Sequence, residues 1–220
     1  MPQTPPTGPQ AAEAARYALL RRLAPSMRHH LVVNLQPIGM IYEVMERRLR
    51  APVPDLGHVQ ESAGKINGFA KAALNSCLDV VSWLAPDDTV TTSVEDAVRE
   101  CTGLLATSLS FRGYALRNET QPLPRPVRRP AIRNLLSATL IHCTDHAQPP
   151  ADLVLTAVAQ EQGALVTVQV RRGEGDKGMA SPDANYRKIT WADVEALAAA
   201  EGVQAQREGQ QVALRFAWAG

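Results

Sequence analysis

Two long helical segments, separated by a short proline-rich break, fill the first 86 residues of this 220-residue chain. The first runs from about Gln10 to Arg50, and its prolines predict kinks without ending the helix. The second begins near Asp55, whose side chain can cap its first turn, and ends near Leu84. Because only Ala51–Pro54 separates the segments, the sequence predicts an antiparallel helical hairpin.

Each predicted helix carries an apolar face with the alternating spacings of three and four residues that are typical of helical bundles. In the first helix this face comprises Met27, Leu31, Asn34, Ile38, Ile41 and Met45. In the second it comprises Val59, Ala63, Ile66, Ala70, Ala73, Cys77, Val80 and Leu84, widened by Ser62, Phe69, Ser76 and Trp83. One hairpin cannot cover both apolar faces, so we expect a homodimer whose two hairpins form a four-helix bundle.

The rest of the chain has the pattern of an α/β sandwich. Predicted helices are Ser93–Ser110, Pro130–His142 and Trp191–Ala200, and predicted strands are Tyr114–Arg117, Leu153–Gln160, Ala164–Arg171 and Val212–Ala217. Ser93 and Thr190 are expected to cap the first and the last of these helices, and Gly202 to end the last one. The expected fold class is therefore α+β, with a helical hairpin at residues 10–86 and an α/β domain at residues 87–220. The proline-rich residues 1–9 are expected to form a disordered tail.

The charge balance and the composition argue against several classes of partner. With 23 basic and 22 acidic residues the net charge is +1, which predicts no strong attraction to nucleic acid or to a membrane surface. No segment reaches the roughly 20 apolar residues that a membrane span needs, and no signal peptide is recognisable, so we expect a cytoplasmic protein. The three cysteines lack CxxC spacing and are expected to be buried free thiols.

The first helix contains a histidine that is well placed to accept a phosphoryl group. If Met27, Leu31 and Asn34 form the buried face, His29 lies at the heptad position farthest from it and points to solvent. A neutral imidazole nitrogen is a nucleophile near pH 7. The adjacent His30 is the alternative acceptor, and both histidines could instead be ordinary exposed residues.

The segment around this histidine resembles the H-box of histidine kinases. In that motif the phosphoacceptor histidine is followed by an acidic residue, a leucine, two polar residues, a proline and a second leucine. Here His29 takes the acceptor's position, His30 the acidic position, and Leu31 and Leu35 match the two leucines. The resemblance implies that His29 is the phosphorylated residue.

Three later segments resemble the ATP-binding domain of the same superfamily. The helix that contains Asn134 resembles the N-box, Val168–Gly175 resembles the strand and loop of the Asp-x-Gly-x-Gly motif, and Trp191–Ala217 looks like the closing helix and strand. The resemblance spans roughly residues 15 to 218 in the right order. It implies a helical hairpin followed by a Bergerat-type ATP-binding fold without its lid.

Several residues that a kinase needs for nucleotide are missing. Ala138 stands where an asparagine would bind Mg²⁺, and it has no oxygen to offer the cation. Arg171 replaces the aspartate that accepts a hydrogen bond from adenine, and arginine only donates. Gly173 and Gly175 remain, but such a pair also forms an ordinary turn. Residues 178–190 hold no Gly-x-Gly phosphate loop and are too few for a lid, so we expect no ATP, no other cofactor and no resident metal.

The same comparison argues against two further activities. His30 removes the carboxylate that would act as a general base, and Val33 replaces the residue that positions water in bifunctional kinases, so autokinase and phosphatase activities are not expected. The resemblance then implies a dimeric histidine phosphotransferase whose partners are response-regulator receiver domains, which bring their own Mg²⁺. Arg28 or Arg22 could neutralise phosphate charge. The alternatives are an inactive pseudokinase scaffold that binds signalling partners, and a divergent sensor histidine kinase.

Two other groups of residues offer weaker hypotheses. His142 and His146 are four residues apart and could bind a metal from one helix face, or they could simply belong to a frayed helix end. A set of six arginines could attract an acidic partner or could be solvated charge: Arg112, Arg117, Arg125, Arg128, Arg129 and Arg133.

Overall fold

The computed structural model describes residues 8–175, 178 and 186–220. Most of the expected N-terminal tail lies outside these residues, but Gly8 and Pro9 already belong to the first helix. The described residues form the predicted α+β fold. In chain order the elements are α1 (Gly8–Leu49), α2 (Leu56–Leu84), β1 (Thr91–Thr92), α3 (Val94–Phe111), β2 (Tyr114–Asn118), β3 (Val127–Arg128), α4 (Arg129–His146), β4 (Ala151–Gln160), β5 (Gly163–Arg172), α5 (Trp191–Glu201), β6 (Gln204–Glu208) and β7 (Gln211–Ala217).

The chain divides into two compact units, and the division cuts through α1. Residues 24–86 form the hairpin unit, whereas residues 87–220 form the α/β unit together with the chain up to Leu23. The helix itself continues through Pro25 and Pro37. The sequence predicted a hairpin that begins at Gln10, but the first turns of that helix are grouped with the α/β unit.

In the hairpin unit the inward side chains of α2 differ in part from the predicted face. Ser62, Ala73 and Trp83 are buried, whereas four of the predicted positions are exposed: Ala63, Ala70, Cys77 and Leu84. The buried face of α2 is therefore rotated, relative to the predicted face, toward the side that carries Ser62 and Ser76. Cys77 is an exposed thiol, so the expectation of three buried cysteines was wrong for this residue.

The α/β unit is built on a five-stranded sheet with the order β2-β4-β5-β7-β6. The β2–β4 pair is parallel and the other pairs are antiparallel. Helix α4 contributes most to the core, since every residue from Pro130 to Asp145 is buried. The fully buried large side chains of this unit include Leu19, Leu23, Leu109, Ile132, Leu135, Leu136, Leu140, Leu153, Leu155, Ile189, Leu197 and Leu214.

Local signals fix the start of α3 and both ends of α5 as predicted, whereas α4 extends four residues beyond its predicted end at His142. Ser93 caps α3 by accepting a hydrogen bond from the backbone of Asp96. Thr190 and Asp193 form a capping box at the start of α5, and Gly202 ends that helix with φ of 66°, a conformation that favours glycine.

Candidate functional site

His29 and His30 lie side by side on α1 in the hairpin unit, and both are exposed. Their ring centroids are 6.4 Å apart. Met27 is 7% exposed, and at 100° per residue His29 lies about 200° around the helix from it. The exposure of His29 agrees with the heptad argument, and its imidazole is open to a macromolecular partner.

A polar contact joins α1 to α2 close to these histidines. The side-chain amide of Asn34 donates to the Ser76 hydroxyl at 3.1 Å and to the backbone carbonyl of His30 at 3.0 Å. Ser76 in turn donates to the carbonyl of Ala72 at 3.0 Å. The sequence placed Asn34 and Ser76 on the apolar faces but did not reveal this contact, because the pairing of the two helices brings residues 42 positions apart together.

The two arginines proposed to neutralise phosphate have different environments. Arg28 is exposed beside His29. Arg22 is buried in the α/β unit, where its guanidinium binds both carboxylate oxygens of Asp145 at 2.6 and 2.8 Å. The suggestion that Arg22 serves the phosphate is therefore wrong, because its charge is already matched by a buried carboxylate.

Three parts of the α/β unit contact the carboxylate of Asp145. It accepts a hydrogen bond from the Ile189 backbone at 2.9 Å, and Arg112 lies 3.4 Å away. Burial by itself would raise the pKa of Asp145, but the hydrogen bonds from Arg22 and Ile189 and the charge of Arg112 hold that pKa below its ordinary value. The carboxylate therefore stays ionised.

A second ion cluster holds the beginning of α1. Glu201, at the end of α5, pairs with Arg16 at 3.0 Å and with Arg128 at 2.8 Å. The apolar side of the same α1 segment is buried as well, through Ala12, Ala15, Ala18, Leu19 and Leu23. Residues 8–23 are thus an integral part of the α/β unit.

The residues at the positions that bind nucleotide in a kinase have other surroundings in this chain. Asn134 donates its side-chain amide to Glu201 at 3.0 Å, and Ala138 is fully buried. Arg171 is exposed and donates to Gln169. Most of the stretch in which we found no phosphate loop or lid lies outside the described residues. Within the described ranges, no cluster of three or more His, Cys, Asp or Glu residues could hold a metal ion.

His142 and His146 form a packed pair and not a frayed helix end. Each donates its Nδ1–H to a backbone carbonyl, His142 to Ile189 and His146 to His142, at 2.9 Å in both cases. Burial lowers the pKa of His142, so the ring is neutral. Its Nε2 faces the Arg207 guanidinium at 3.4 Å, and this cation stands where a metal ion would have to bind. The metal interpretation of the pair is therefore disfavoured.

The six arginines of the basic stretch all make contacts within the chain, which weakens the idea of a steering surface. Arg133 is 3% exposed, and it shares Glu100 with Arg129. The remaining partners are Asp145 for Arg112, Asp152 for Arg117, the Ala219 carbonyl for Arg125 and Glu201 for Arg128.

Solved structures similar to this chain include histidine kinases and a phosphotransferase. The histidine kinase AdeS of Acinetobacter baumannii has 13% identity and a TM-score of 0.45, with 82% of this chain and 96% of that chain covered. A histidine kinase from Burkholderia phymatum has 16% identity and a TM-score of 0.46, with 93% and 98% covered. A bacterial phosphotransferase has 13% identity and a TM-score of 0.40, with 90% and 95% covered.

Two of these three proteins are named histidine kinases, the family that the sequence resembles. At these identities and TM-scores the similarity assigns no role to any residue of this chain. No protein-family profile and no curated protein sequence matches the chain. In the ranges that the structure describes, no helix has both the length and the apolar character needed to cross a membrane.

Proposed function

We propose that the chain is a histidine phosphotransferase of a two-component phosphorelay, which exchanges phosphate between His29 and the aspartate of response-regulator receiver domains. The carrying observation is the exposure of His29 on the side of α1 away from Met27. The engagement of Asn134 by Glu201 and the burial of Ala138 support a relay protein over an ATP-dependent kinase.

The proposed transfer is a direct displacement at phosphorus. The unprotonated ring nitrogen of His29 attacks the aspartyl phosphate of the receiver, so that a P–N bond forms while the P–O bond to the aspartate breaks. The aspartate leaves as a carboxylate, and the other ring nitrogen can release its proton to solvent. Arg28, exposed next to His29, could stabilise the phosphoryl charge. The receiver supplies the Mg²⁺.

The hairpin supports the accompanying proposal of a homodimer. Among the described residues, most of the exposed large apolar side chains lie on α1 after residue 24 and on α2, for example Leu35, Tyr42, Leu74, Val81 and Leu84. Exposing so many large apolar side chains on two helices is unfavourable in water unless another surface covers them. A second hairpin would cover it in a four-helix bundle.

The deciding experiment is a transfer assay with a panel of radiolabelled phospho-receiver domains in the presence of Mg²⁺. The variants are His29→Ala, His30→Ala and, as a matched control, His58→Ala, which removes another exposed histidine of the hairpin. We expect label on the wild type, on His30→Ala and on His58→Ala, and none on His29→Ala.

Each other result contradicts the proposal in its own way. Label that persists in His29→Ala and vanishes in His30→Ala moves the acceptor to His30. Label taken directly from radioactive ATP indicates a divergent kinase. Absence of label with every receiver, combined with binding to a receiver, indicates a pseudokinase scaffold.

A further inference from the structure

Asn34 lies on the side of α1 that faces α2, because its side-chain amide reaches the hydroxyl of Ser76 on that helix. It is half-buried, between the half-buried Leu31 and Ile38 on the same side of α1. Its amide nitrogen is shared between the Ser76 hydroxyl on α2 and the His30 carbonyl on α1. A carbonyl only accepts, so the group that faces His30 must be the amide NH₂.

The contact lies where the hydrogen-bond ladder of α1 is weakened. Pro37 has no N–H, so the carbonyl of Val33, four residues earlier, lacks its usual helical donor. The helix nevertheless continues without interruption through this turn. A helix that has lost a backbone bond bends and rotates more easily there, and the Asn34–Ser76 contact lies in the same turn.

A polar pair in an apolar helical contact favours one register over the others. Replacing it with apolar residues stabilises such contacts but permits alternative alignments, because apolar side chains pack in several registers whereas a hydrogen bond forms in only one. In a register shifted by one residue, Val33 or Leu35 would take the place of Asn34 opposite α2, and the contact with Ser76 would be lost. Such a shift would also turn the imidazole of His29 by about 100° around the helix axis.

We propose that Asn34 and Ser76 are positioning residues that fix the rotation and register of α1 against α2, and thereby the direction in which His29 faces. This inference rests on the proposed phosphotransfer function and identifies what orients its acceptor. Neither residue touches the phosphoryl group, so both act through His29.

The test compares Asn34→Leu and Ser76→Ala with two controls. Ser76→Thr keeps the hydroxyl. Asn75→Leu also replaces an asparagine with leucine, but at an exposed position of α2 directly before Ser76. The rate of transfer from a saturating radiolabelled phospho-receiver should fall at least about tenfold in Asn34→Leu and Ser76→Ala, because small misplacements of a reacting group are costly. The receiver concentration that gives half the maximal rate should not change.

Stability distinguishes positioning from a general structural defect. Asn34→Leu should unfold at the same or a higher temperature than the wild type while it transfers more slowly. Ser76→Thr and Asn75→Leu should transfer at the wild-type rate. If Asn34→Leu and Ser76→Ala transfer as fast as the wild type, the inference is wrong, although the proposed function stands.

Hydrogen exchange of backbone amides tests the same inference without phosphate. Amides in the turn before Pro37 should exchange faster in Asn34→Leu than in Asn75→Leu, although Asn34→Leu is expected to be at least as stable overall as the wild type. If the wild type accepts no phosphate from any receiver, the proposed function fails. Faster exchange would then still establish the register contact, and unchanged exchange would overturn it.

Discussion

His142 illustrates, at the scale of a single residue, how burial decides between interpretations that the sequence leaves open. Its spacing from His146 suits a metal site, and its place near the end of a helix suits a solvated ring. In the structure the ring is 3% exposed, donates to the Ile189 carbonyl and faces Arg207. Neither Ile189 nor Arg207 is close to His142 in sequence, so residue spacing could not have revealed these contacts.

The lowered pKa of His142 predicts a loss of stability in mild acid. Burial lowers this pKa in the folded protein, whereas in the unfolded chain it is about 6.5. As the pH falls below about 6.5, the unfolded chain binds the proton more readily, so the free energy of unfolding decreases until the pH passes the folded pKa. Above that window the contribution of the neutral ring is fully present.

Urea unfolding between about pH 8 and pH 5 measures this effect. His142→Asn keeps a donor for the Ile189 carbonyl but cannot titrate, so its stability should depend less on pH than that of the wild type. Equal pH dependence in the wild type and in His142→Asn would show that the ring is not held neutral.

At the scale of elements, the sequence predicted those with a chemical signal at their ends. The caps at Ser93 and Thr190 and the stop at Gly202 occur as expected. Strand β6 (Gln204–Glu208) was missed because its sequence is almost entirely polar, and only its antiparallel pairing with β7 makes it a strand. The inner face of α2 was partly misassigned because Ser62 and Ser76 point inward, and small hydroxyl side chains lack a clear hydrophobic signal.

Gly163 is a strand position at which an added methyl group should strongly destabilise the protein. It pairs with Ala217 across β5 and β7, and an added Cβ would lie 2.0 Å from the Phe216 carbonyl oxygen. Backbone cannot yield as a flexible side chain can, so Gly163→Ala should lower the free energy of unfolding by about 1–3 kcal/mol or more. The measurement is urea denaturation.

Gly68→Ala supplies the opposite case. This glycine lies within α2, and an added Cβ would meet nothing within 4 Å. The substitution should stabilise the protein by about 0.5–1 kcal/mol through helix propensity. If Gly163→Ala proved as stable as the wild type, the close approach of β7 to Gly163 would be refuted.

At the scale of the whole molecule, the least predictable feature is that α1 contributes to both compact units. Its helical pattern runs from Gln10 to Arg50 and is interrupted only by prolines that predict kinks, so the sequence does not assign its first turns to a different unit. The division falls after Leu23, next to Pro25. It is set by contacts of Arg16 and Arg22 with acidic residues more than 100 positions away. The sequence pattern predicts that the helix forms, but its first turns pack in the α/β unit because of contacts with the distant carboxylates.

Arg22 therefore provides the test of this organisation. Arg22→Ala leaves the Asp145 carboxylate buried without its principal partner, and such a loss costs about 3–5 kcal/mol. The Ile189 N–H and Arg112 still face the carboxylate, so the lower end of that range is expected. Unfolding of the α/β unit should be followed by the fluorescence of Trp191 and Trp218, with Trp83→Phe in the background to remove the signal of the hairpin. Arg28→Ala, an exposed arginine on the same helix, should change stability by no more than about 0.5 kcal/mol.

Equal stability of the two variants would mean that residues 8–23 are not part of the core of the α/β unit. A large loss in Arg22→Ala alone would show that the helix carrying His29 begins as a structural element of the neighbouring unit.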